Sequence, residues 1–235
     1  MSMWNEFTTY VTTASNWHGD RGILHRSLEH LRLSGTAVLV AALIALPIAI
    51  WLGHTRRGGL AAQSIVNIGR AVPSLAILAL LFPLSLQYGF GLGFWPTLAA
   101  LVILAVPPMF TNAYTAIRSV DPAIVDSSLG MGMRGLEVVT RVEVPSGLSL
   151  ILTGVRIATL QVIATATLGA YVGFNGLGSF INEGFRQQDD GKLLTGAIAV
   201  ALTALLVDVA FGVVVRRATP WRVPELQVST KGPQP

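Results

Sequence analysis

The stretch RSVDPAIVDSSLGMGMRGLEVVTRVEVP, residues 118–145, separates two long apolar runs and contains the signals that set the architecture between them. Asp121 followed by Pro122 is the pairing of a helix N-cap with proline at the first helical position. A short helix is therefore predicted from Pro122 to Leu129.

The same stretch predicts a second short helix after a break. Gly130 and Gly132 interrupt the first helix because glycine weakens helix interiors and permits tight turns. The second helix is predicted from Gly135 to Glu143, before Pro145 leads into the next apolar run. Its apolar residues recur at three-residue spacing on one face: Leu136, Val139 and Val142. Two short helices at a sharp angle form a compact knob, whose apolar residues need a partner surface to cover them.

The composition is that of a membrane protein. Hydrophobic residues make up 52% of the 235 residues and charged residues only 12%, against roughly 25% charged in a soluble domain. Five runs are long enough to cross a hydrocarbon core: Leu33 to Gly53, Leu60 to Leu84, Phe94 to Ile117, Leu148 to Val172, and Leu193 to Val215. The first helix is expected to begin about three turns before its span, because leucines recur there at helical spacing. The fold class is an all-α integral membrane bundle of about five transmembrane helices.

Lysine and arginine indicate the orientation, because cytoplasmic loops are enriched in both. With the amino terminus outside, nine of these residues lie on the inner side: Arg56, Arg57, Arg118, Arg134, Arg141, Arg216, Arg217, Arg222 and Lys231. Five lie on the outer side: Arg21, Arg26, Arg32, Arg186 and Lys192. The excess predicts an outer amino terminus and an inner carboxyl terminus. These cations form no basic stripe interleaved with aromatics, which argues against nucleic-acid binding.

Common catalytic and metal-binding motifs are absent from the sequence. It has no cysteine, no GxxxxGK[ST] phosphate loop, no HExxH and no GxSxG. The four histidines are scattered, and each is interpreted as a surface or interface residue: His18, His25, His30 and His54. We therefore expect no catalytic residue, no metal site and no cofactor in this chain.

Two features of the spans bear on a path through the membrane. Pro107 and Pro108 interrupt the third span; each removes a backbone donor and bends its helix, which suits either a gated path or a plain bundle. The fourth span is rich in glycine, alanine and threonine, which let helix backbones approach closely. This small-residue face is expected to pack against other helices and to need a helix from a partner subunit.

Three ionisable residues lie within the predicted spans, where a charge is costly and is therefore a functional candidate: Arg70, Arg156 and Asp208. With the amino terminus outside, all three fall in the cytosolic halves of their spans. One interpretation is a structural ion pair between Asp208 and either arginine, or arginines that extend to the headgroups. The alternative is that Asp208 faces the path and favours a cationic group.

The stretch between spans three and four resembles the EAA loop of ABC importer permeases. Asp126-Ser127-Ser128, three further residues, Gly132, nine further residues and Val142-Glu143-Val144-Pro145 follow the spacing of that family's pattern. Gly132 and Pro145 match it, whereas aspartate stands for glutamate, two serines for alanines, and valines for isoleucine and leucine. In that family the loop docks into a groove on a cytosolic ATPase. The resemblance implies a coupling role for eight residues: Asp126, Ser127, Ser128, Gly132, Leu136, Val139, Val142 and Pro145.

The resemblance covers most of the chain and is closest to osmoprotectant permeases for glycine betaine, carnitine and choline. Further segments carry it: NIGRAVPSLAILALLFPL (67–84), NAYTAIRSV (112–120), TGVRIATL (153–160) and TLGAYVGFNGLGSFINEG (167–184). It implies a type I importer transmembrane domain over residues 27–215, with the coupling loop at 118–146. An external amino-terminal segment (1–26) and a cytosolic tail (216–235) complete the expected organisation.

The resemblance also implies partners in a bacterial plasma membrane. These are two cytosolic ABC ATPase subunits that bind ATP and magnesium, a second permease subunit, identical or paralogous, and an external substrate-binding protein. In the resembling family the segment from Val172 to Gly191 faces that binding protein, although its glycines also suit a plain surface turn. Two alternatives stay open: an ABC permease for another small solute, such as methionine or another amino acid, and a secondary transporter.

Overall fold

The computed structural model describes residues 2–57, 64, 66 and 72–219, and every regular element in these ranges is helical. In chain order the α-helices are α1 (Met3–Thr12), α2 (Ile23–Thr55), α3 (Ser74–Gln87), α4 (Phe94–Arg118), α5 (Pro122–Gly130), α6 (Gly135–Val138), α7 (Val144–Thr165), α8 (Gly178–Gln187) and α9 (Asp190–Ala218). Three further helical elements are not α-helices: a 3-10 turn (Ala14–Asn16), a π turn (Val139–Glu143) and a 3-10 helix (Ala166–Val172). The prediction of an all-α protein is confirmed.

Within the described ranges, four helical stretches are long and apolar enough to cross a membrane: Ile23–Thr55, Phe94–Arg118, Gly135–Val172 and Asp190–Ala218. They contain the predicted first, third, fourth and fifth spans. The predicted second span lies partly outside the described residues, and its last 11 residues, 74–84, belong to the 14-residue α3, which extends to Gln87. Residues 220–235 of the predicted cytosolic tail lie outside the described residues as well.

Contacts between distant parts of the chain define the two ends of the bundle. At one end, called the loop end, His54 of α2 lies 2.8 Å from Glu143. At the opposite end, called the far end, Arg26 near the start of α2 bonds Glu183 of α8 at 2.7 Å. Lys192 at the start of α9 contacts the same carboxylate at 2.6 Å. The loop between α4 and α7 and the connection from α7 to α9 therefore lie at opposite ends of the molecule.

The main core lies where α2, α4 and α7 pack together. One face of α2 is a stripe of buried residues spaced four positions apart: Leu33, Ala37, Ala41, Ala45, Ala49 and Gly53. Residues this small let α4 approach α2 closely, and close packing is what holds helices together where lipid removes the hydrophobic driving force. The alanine stripe therefore fixes the face that α2 turns toward the core.

Glycines of α7 bring that helix into close contact with α4. A Cβ on Gly154 would lie 2.6 Å from the Cβ of Asn112, and a Cβ on Gly147 would lie 2.9 Å from the Cβ of Ala116. The prediction that small residues of the fourth span permit close packing is confirmed. The same contacts remove one reason for expecting a second subunit, because α4 of the same chain already covers this face.

Replacing Gly154 with valine should destabilise the bundle by about 1–3 kcal/mol, because the side chain has no space between α7 and α4. The midpoint of thermal unfolding, measured on the purified protein in detergent, should fall. Gly212→Val in α9 is the matched control, since among the described residues nothing beyond its chain neighbours and the local helix backbone lies within 4 Å of its added Cβ. Equal losses of stability in the two variants would contradict the packing of α7 on α4.

Candidate functional site

The first helix of the loop forms as its sequence predicts. The carboxylate of Asp121 accepts a hydrogen bond from the amide of Ala123 at 2.9 Å and caps α5. This helix ends one residue later than predicted. Asp126 and Ser127 are exposed, whereas Ser128 is buried. The Asp-Ser-Ser segment thus presents two of its three side chains outward.

Gly132 makes the turn between the two loop helices. Its φ of +89° lies in the left-handed region that favours glycine. On one side, the amide of Met133 donates to the carbonyl of Ser128 at 3.2 Å and closes α5. On the other side, the amide of Arg134 donates to the carboxylate of Glu137 at 2.9 Å and opens α6. Hydrogen bonds therefore fix the turn on both sides.

The second loop helix is not a separate element, and the prediction that it ends at Glu143 is wrong. The π turn (Val139–Glu143) joins α6 to α7, so one helical stretch extends from Gly135 to Val172. Pro145 has no backbone donor, but it lies two residues after the end of the π turn, where the hydrogen-bond register changes. The helix therefore continues through the position where the sequence indicated a break.

Apolar side chains cover the outward surface of the loop. Four of them are between 45% and 77% exposed: Ile124, Leu129, Met131 and Leu136. Val139 and Val142, predicted to share a face with Leu136, are half-buried. Apolar side chains exposed at the end of a bundle are candidates for a surface that another protein covers.

Two contacts attach the loop to the end of α2. Nδ1 of His54 lies 2.8 Å from a carboxylate oxygen of Glu143, which is buried. The guanidinium of Arg56 donates to the carbonyl of Val120 at 3.4 Å. The sequence interpretation missed both contacts. The signal for the first was the single carboxylate of Glu143 among the valines that precede Pro145.

Arg156 of α7 and Asp208 of α9 form a bidentate ion pair. Nε and Nη2 of Arg156 donate to the two carboxylate oxygens at 2.6 and 2.7 Å. This geometry is the structural pair that one interpretation of the intramembrane charges expected. Because Arg156 engages both of its oxygens, Asp208 presents no unpaired charge to a cationic solute. Arg70 lies outside the described residues.

A cavity of about 520 Å³, called the central cavity, lies between α4 and α7. Pro107 and Pro108 line it, and neither can donate a backbone hydrogen bond to the preceding turn. Asn112 and Gln161 add uncharged polar groups, and the amide of Asn112 donates to the carbonyl of Pro108 at 2.8 Å. Sequence reasoning missed both amides because it considered only charged residues within the spans.

An ion cluster holds the far end together. Glu183 accepts hydrogen bonds from Arg26 and Lys192, and the Arg26 guanidinium also lies over the Phe180 ring, 4.4 Å from its centroid. Burial opposes ionisation of Glu183, but the hydrogen bonds from the two cations outweigh it. The pKa of this carboxyl is therefore lower than its usual value of 4.5.

Acid should weaken the far end through Glu183. A carboxyl with a depressed folded pKa contributes stability that is present above its unfolded pKa and is lost as the pH falls through the folded value. The thermal midpoint of the purified protein should therefore fall as the pH drops below 4.5. Glu183→Gln should reduce this pH dependence, while Glu29→Gln, which removes a pair with the exposed Arg32, should preserve it. A pH dependence unaffected by Glu183→Gln would contradict the assignment.

The fold and the loop together define a class of protein. A bundle of membrane-crossing helices has an apolar surface at one end and a partly polar cavity between two of its helices, which are the parts of a transporter's membrane subunit. A family model described as the binding-protein-dependent transport system inner membrane component matches residues 41–220. The chain belongs to this family and is an inner-membrane permease. Membership argues against the secondary-transporter alternative.

Individual proteins similar to this chain are permeases as well. The chain is 34% identical over 216 residues to the glycine betaine/carnitine/choline transport system permease protein OpuCB of Bacillus subtilis, covering 92% of this chain and 95% of that one. It is 36% identical over 203 residues to the carnitine transport permease protein OpuCB of Listeria monocytogenes, covering 86% and 91%. Among solved structures, the inward-facing MetNI methionine ABC transporter matches with a TM-score of 0.75 at 22% identity, over 84% of this chain and 96% of that chain. The resemblance to osmoprotectant permeases is thus confirmed, and the last match shows the fold.

Proposed function

We propose that this chain is the permease subunit of an ATP-driven importer for quaternary-ammonium compatible solutes, such as glycine betaine, carnitine, choline and proline betaine. The observation that supports it most directly is identity of about one third, over most of the chain, to permeases named for the first three solutes. A methylated ammonium donates no hydrogen bond and is weakly hydrated, so its path needs no dedicated carboxylate. The central cavity, with its uncharged amides, is compatible with such a solute.

The loop from Arg118 to Ser146 is the proposed docking site for a cytosolic ATPase. Its exposed apolar residues need a partner surface, and its turn at Gly132 sets the angle between α5 and α6. Each of two ATPase subunits would bind ATP and magnesium and dock on one permease. The residues proposed to form or shape this surface are Asp126, Ser127, Ser128, Gly132, Leu136, Val139, Val142 and Pro145.

Two permease subunits, identical or paralogous, are proposed to enclose the path. Gln161 lines the central cavity and is exposed on the surface of a single subunit. An amide facing lipid is costly unless another helix or water covers it. A second subunit against this surface would cover it, and mass measurement of the detergent-purified complex should find two permeases. A lone active subunit would contradict the proposal.

The proposed orientation places the amino terminus outside and the carboxyl terminus in the cytosol. It brings the loop end to the ATPases and the far end to an external binding protein. The support is the excess of lysine and arginine on the loop side of the predicted spans. A tag at residue 2 should then be accessible to a membrane-impermeant reagent in intact spheroplasts, whereas a tag at the carboxyl terminus should not.

Reconstitution tests the proposed solute class. The permease, its ATPase and its binding protein are combined in proteoliposomes, and ATP-dependent uptake of radiolabelled glycine betaine, carnitine, choline and methionine is measured. We expect uptake of at least one quaternary ammonium compound and none of methionine. Uptake of methionine without any response to the quaternary ammonium compounds would overturn the solute class and leave the family assignment standing.

A further inference from the structure

The far end contains a second cavity, distinct from the central one. Its volume is about 680 Å³, and it lies among the amino-terminal segment, the turn after Val172, α8 and the start of α9. Small-molecule sites commonly have volumes of roughly 300–1,000 Å³. Polar side chains dominate its lining, including Asn16, Asn175 and Asn182. We call it the far-end cavity.

Cationic side chains outnumber carboxylates in its lining. Four cations and one carboxylate contribute: Arg21, Arg26, Arg186, Lys192 and Glu183. Both oxygens of the carboxylate are already engaged, Oε1 by Arg26 and Oε2 by Lys192. The excess positive charge is therefore not balanced within the lining, and it favours an anionic group in the cavity.

Arg26 is the buried member of this set. Its side chain is only 2% exposed and is held between the Glu183 carboxylate and the Phe180 ring. Nη2 donates to Glu183, but Nε and Nη1 are buried and find no hydrogen-bond partner among the residues that the structure describes. Unpaired donors on a buried charge are costly. A carboxylate is the acceptor whose geometry a guanidinium matches best.

We propose that the far-end cavity binds the carboxylate of a small solute, with Arg26 as the principal donor and with Arg21 and Arg186 adding electrostatic attraction. The choice of ligand rests on the proposed function. Among compatible solutes, glycine betaine and carnitine carry a carboxylate, whereas choline has a hydroxyl group at the matching position. The cavity should therefore bind glycine betaine more tightly than choline, although both carry the same trimethylammonium group. A small solute fits better than an acidic side chain of a docked protein, because the cavity volume of about 680 Å³ lies within the range of small-molecule sites.

Direct binding tests this proposal without transport. The permease in complex with its ATPase, without any binding protein, is titrated with glycine betaine and with choline, and dissociation constants are read by calorimetry. Choline should bind at least tenfold more weakly, because it cannot satisfy the Arg26 donors. Equal affinities for the two solutes, or no binding of glycine betaine, would overturn the proposal.

Variants assign the binding to this cavity. Arg26→Lys retains the charge but removes the planar fork, and should weaken glycine betaine binding about tenfold while choline binding changes little. If Arg26→Lys does not fold, a double variant tests the assignment instead. It combines Arg21→Gln with Arg186→Gln, and both arginines are exposed. It should weaken binding several-fold, and the loss should shrink at high salt. Arg32→Gln, an exposed cation outside the cavity lining, is the matched control and should bind normally.

Three further outcomes would overturn the proposal. One is unchanged affinity in the variants that fold, and another is an equal loss in Arg32→Gln. The third is normal solute binding by the variants together with impaired docking of the binding protein, which would assign the cavity to an acidic side chain of that partner. Uptake by the wild-type complex reports separately on the proposed function. Normal uptake of quaternary ammonium compounds without binding at the far end would therefore refute the cavity proposal alone.

Discussion

In a transporter carrying Gly132→Asp, the rate of ATP-dependent uptake should fall at least tenfold, while the helices insert and fold normally. The φ of +89° at this position strains any residue with a side chain, at a cost of about 1–2 kcal/mol. The strain should change the angle between α5 and α6, and the new charge would be buried against the proposed ATPase partner. Uptake is measured in proteoliposomes, and membrane yield and circular dichroism report on folding.

Gly130→Asp is the matched control for this experiment. It places the same charge two positions earlier, where φ is not positive and nothing beyond the adjacent residues and the local helix backbone lies within 4 Å of the added Cβ. Most of the uptake should remain. Equal losses in the two variants would show that the charge acts without any contribution from the turn. Gly132→Asp protein that is made normally and transports at the original rate would refute the proposed coupling role of the loop.

Breaking the ion pair between Arg156 and Asp208 should reduce the yield of folded protein several-fold. Arg156→Leu leaves a carboxylate without its cation, and Asp208→Leu leaves a guanidinium without its anion, in helices that cross the membrane. Removing both charges at once should be less harmful than removing either one, because no unpaired charge remains. Monodisperse protein recovered from detergent extracts of the membrane is the measurement.

Two comparisons sharpen this test. Exchanging the partners, Arg156→Asp with Asp208→Arg, should recover part of the yield, since the pair re-forms with the opposite polarity. Arg141→Leu breaks an exposed pair with Glu137, whose atoms lie 3.9 Å apart, and should change the yield little. A double Leu variant with a yield below both single variants would show that the two charges do not support each other.

The long helices could be predicted because each span is a run of about 20 apolar residues, and the boundaries of α4 differ from the predicted span by one residue. The fusion of α6 with α7 could not be predicted in the same way. Pro145 and the polar residues before it are typical of a helix end. The π turn that precedes the proline and lets the helix continue has no recognisable pattern in the sequence. The length of the apolar run predicted the membrane portion of the helix but not its extension to Gly135.

The far end was beyond sequence reasoning for a different reason. Arg26 and Glu183 are 157 positions apart, so nothing local relates them. Arg26 and Lys192 were counted as two of the five outer cations, yet Glu183 pairs with both of them inside the fold. The central cavity was missed because Asn112 and Gln161 carry no charge. Single polar amides on separate helices indicate a site only when the packing of those helices is known.

Because Gly135 and Val172 belong to one helical stretch of 38 residues, the two ends of the molecule are joined by a rod of roughly 55 Å, at about 1.5 Å per residue. A tilt imposed at Gly135 by a moving ATPase would travel along this rod to Ala170, which lines the far-end cavity. A lever of this kind needs no relay of side chains. The helical stretch would bend most easily at the π turn near Pro145. The stiffness of that single turn would therefore determine how much of the tilt at Gly135 is transmitted to Ala170.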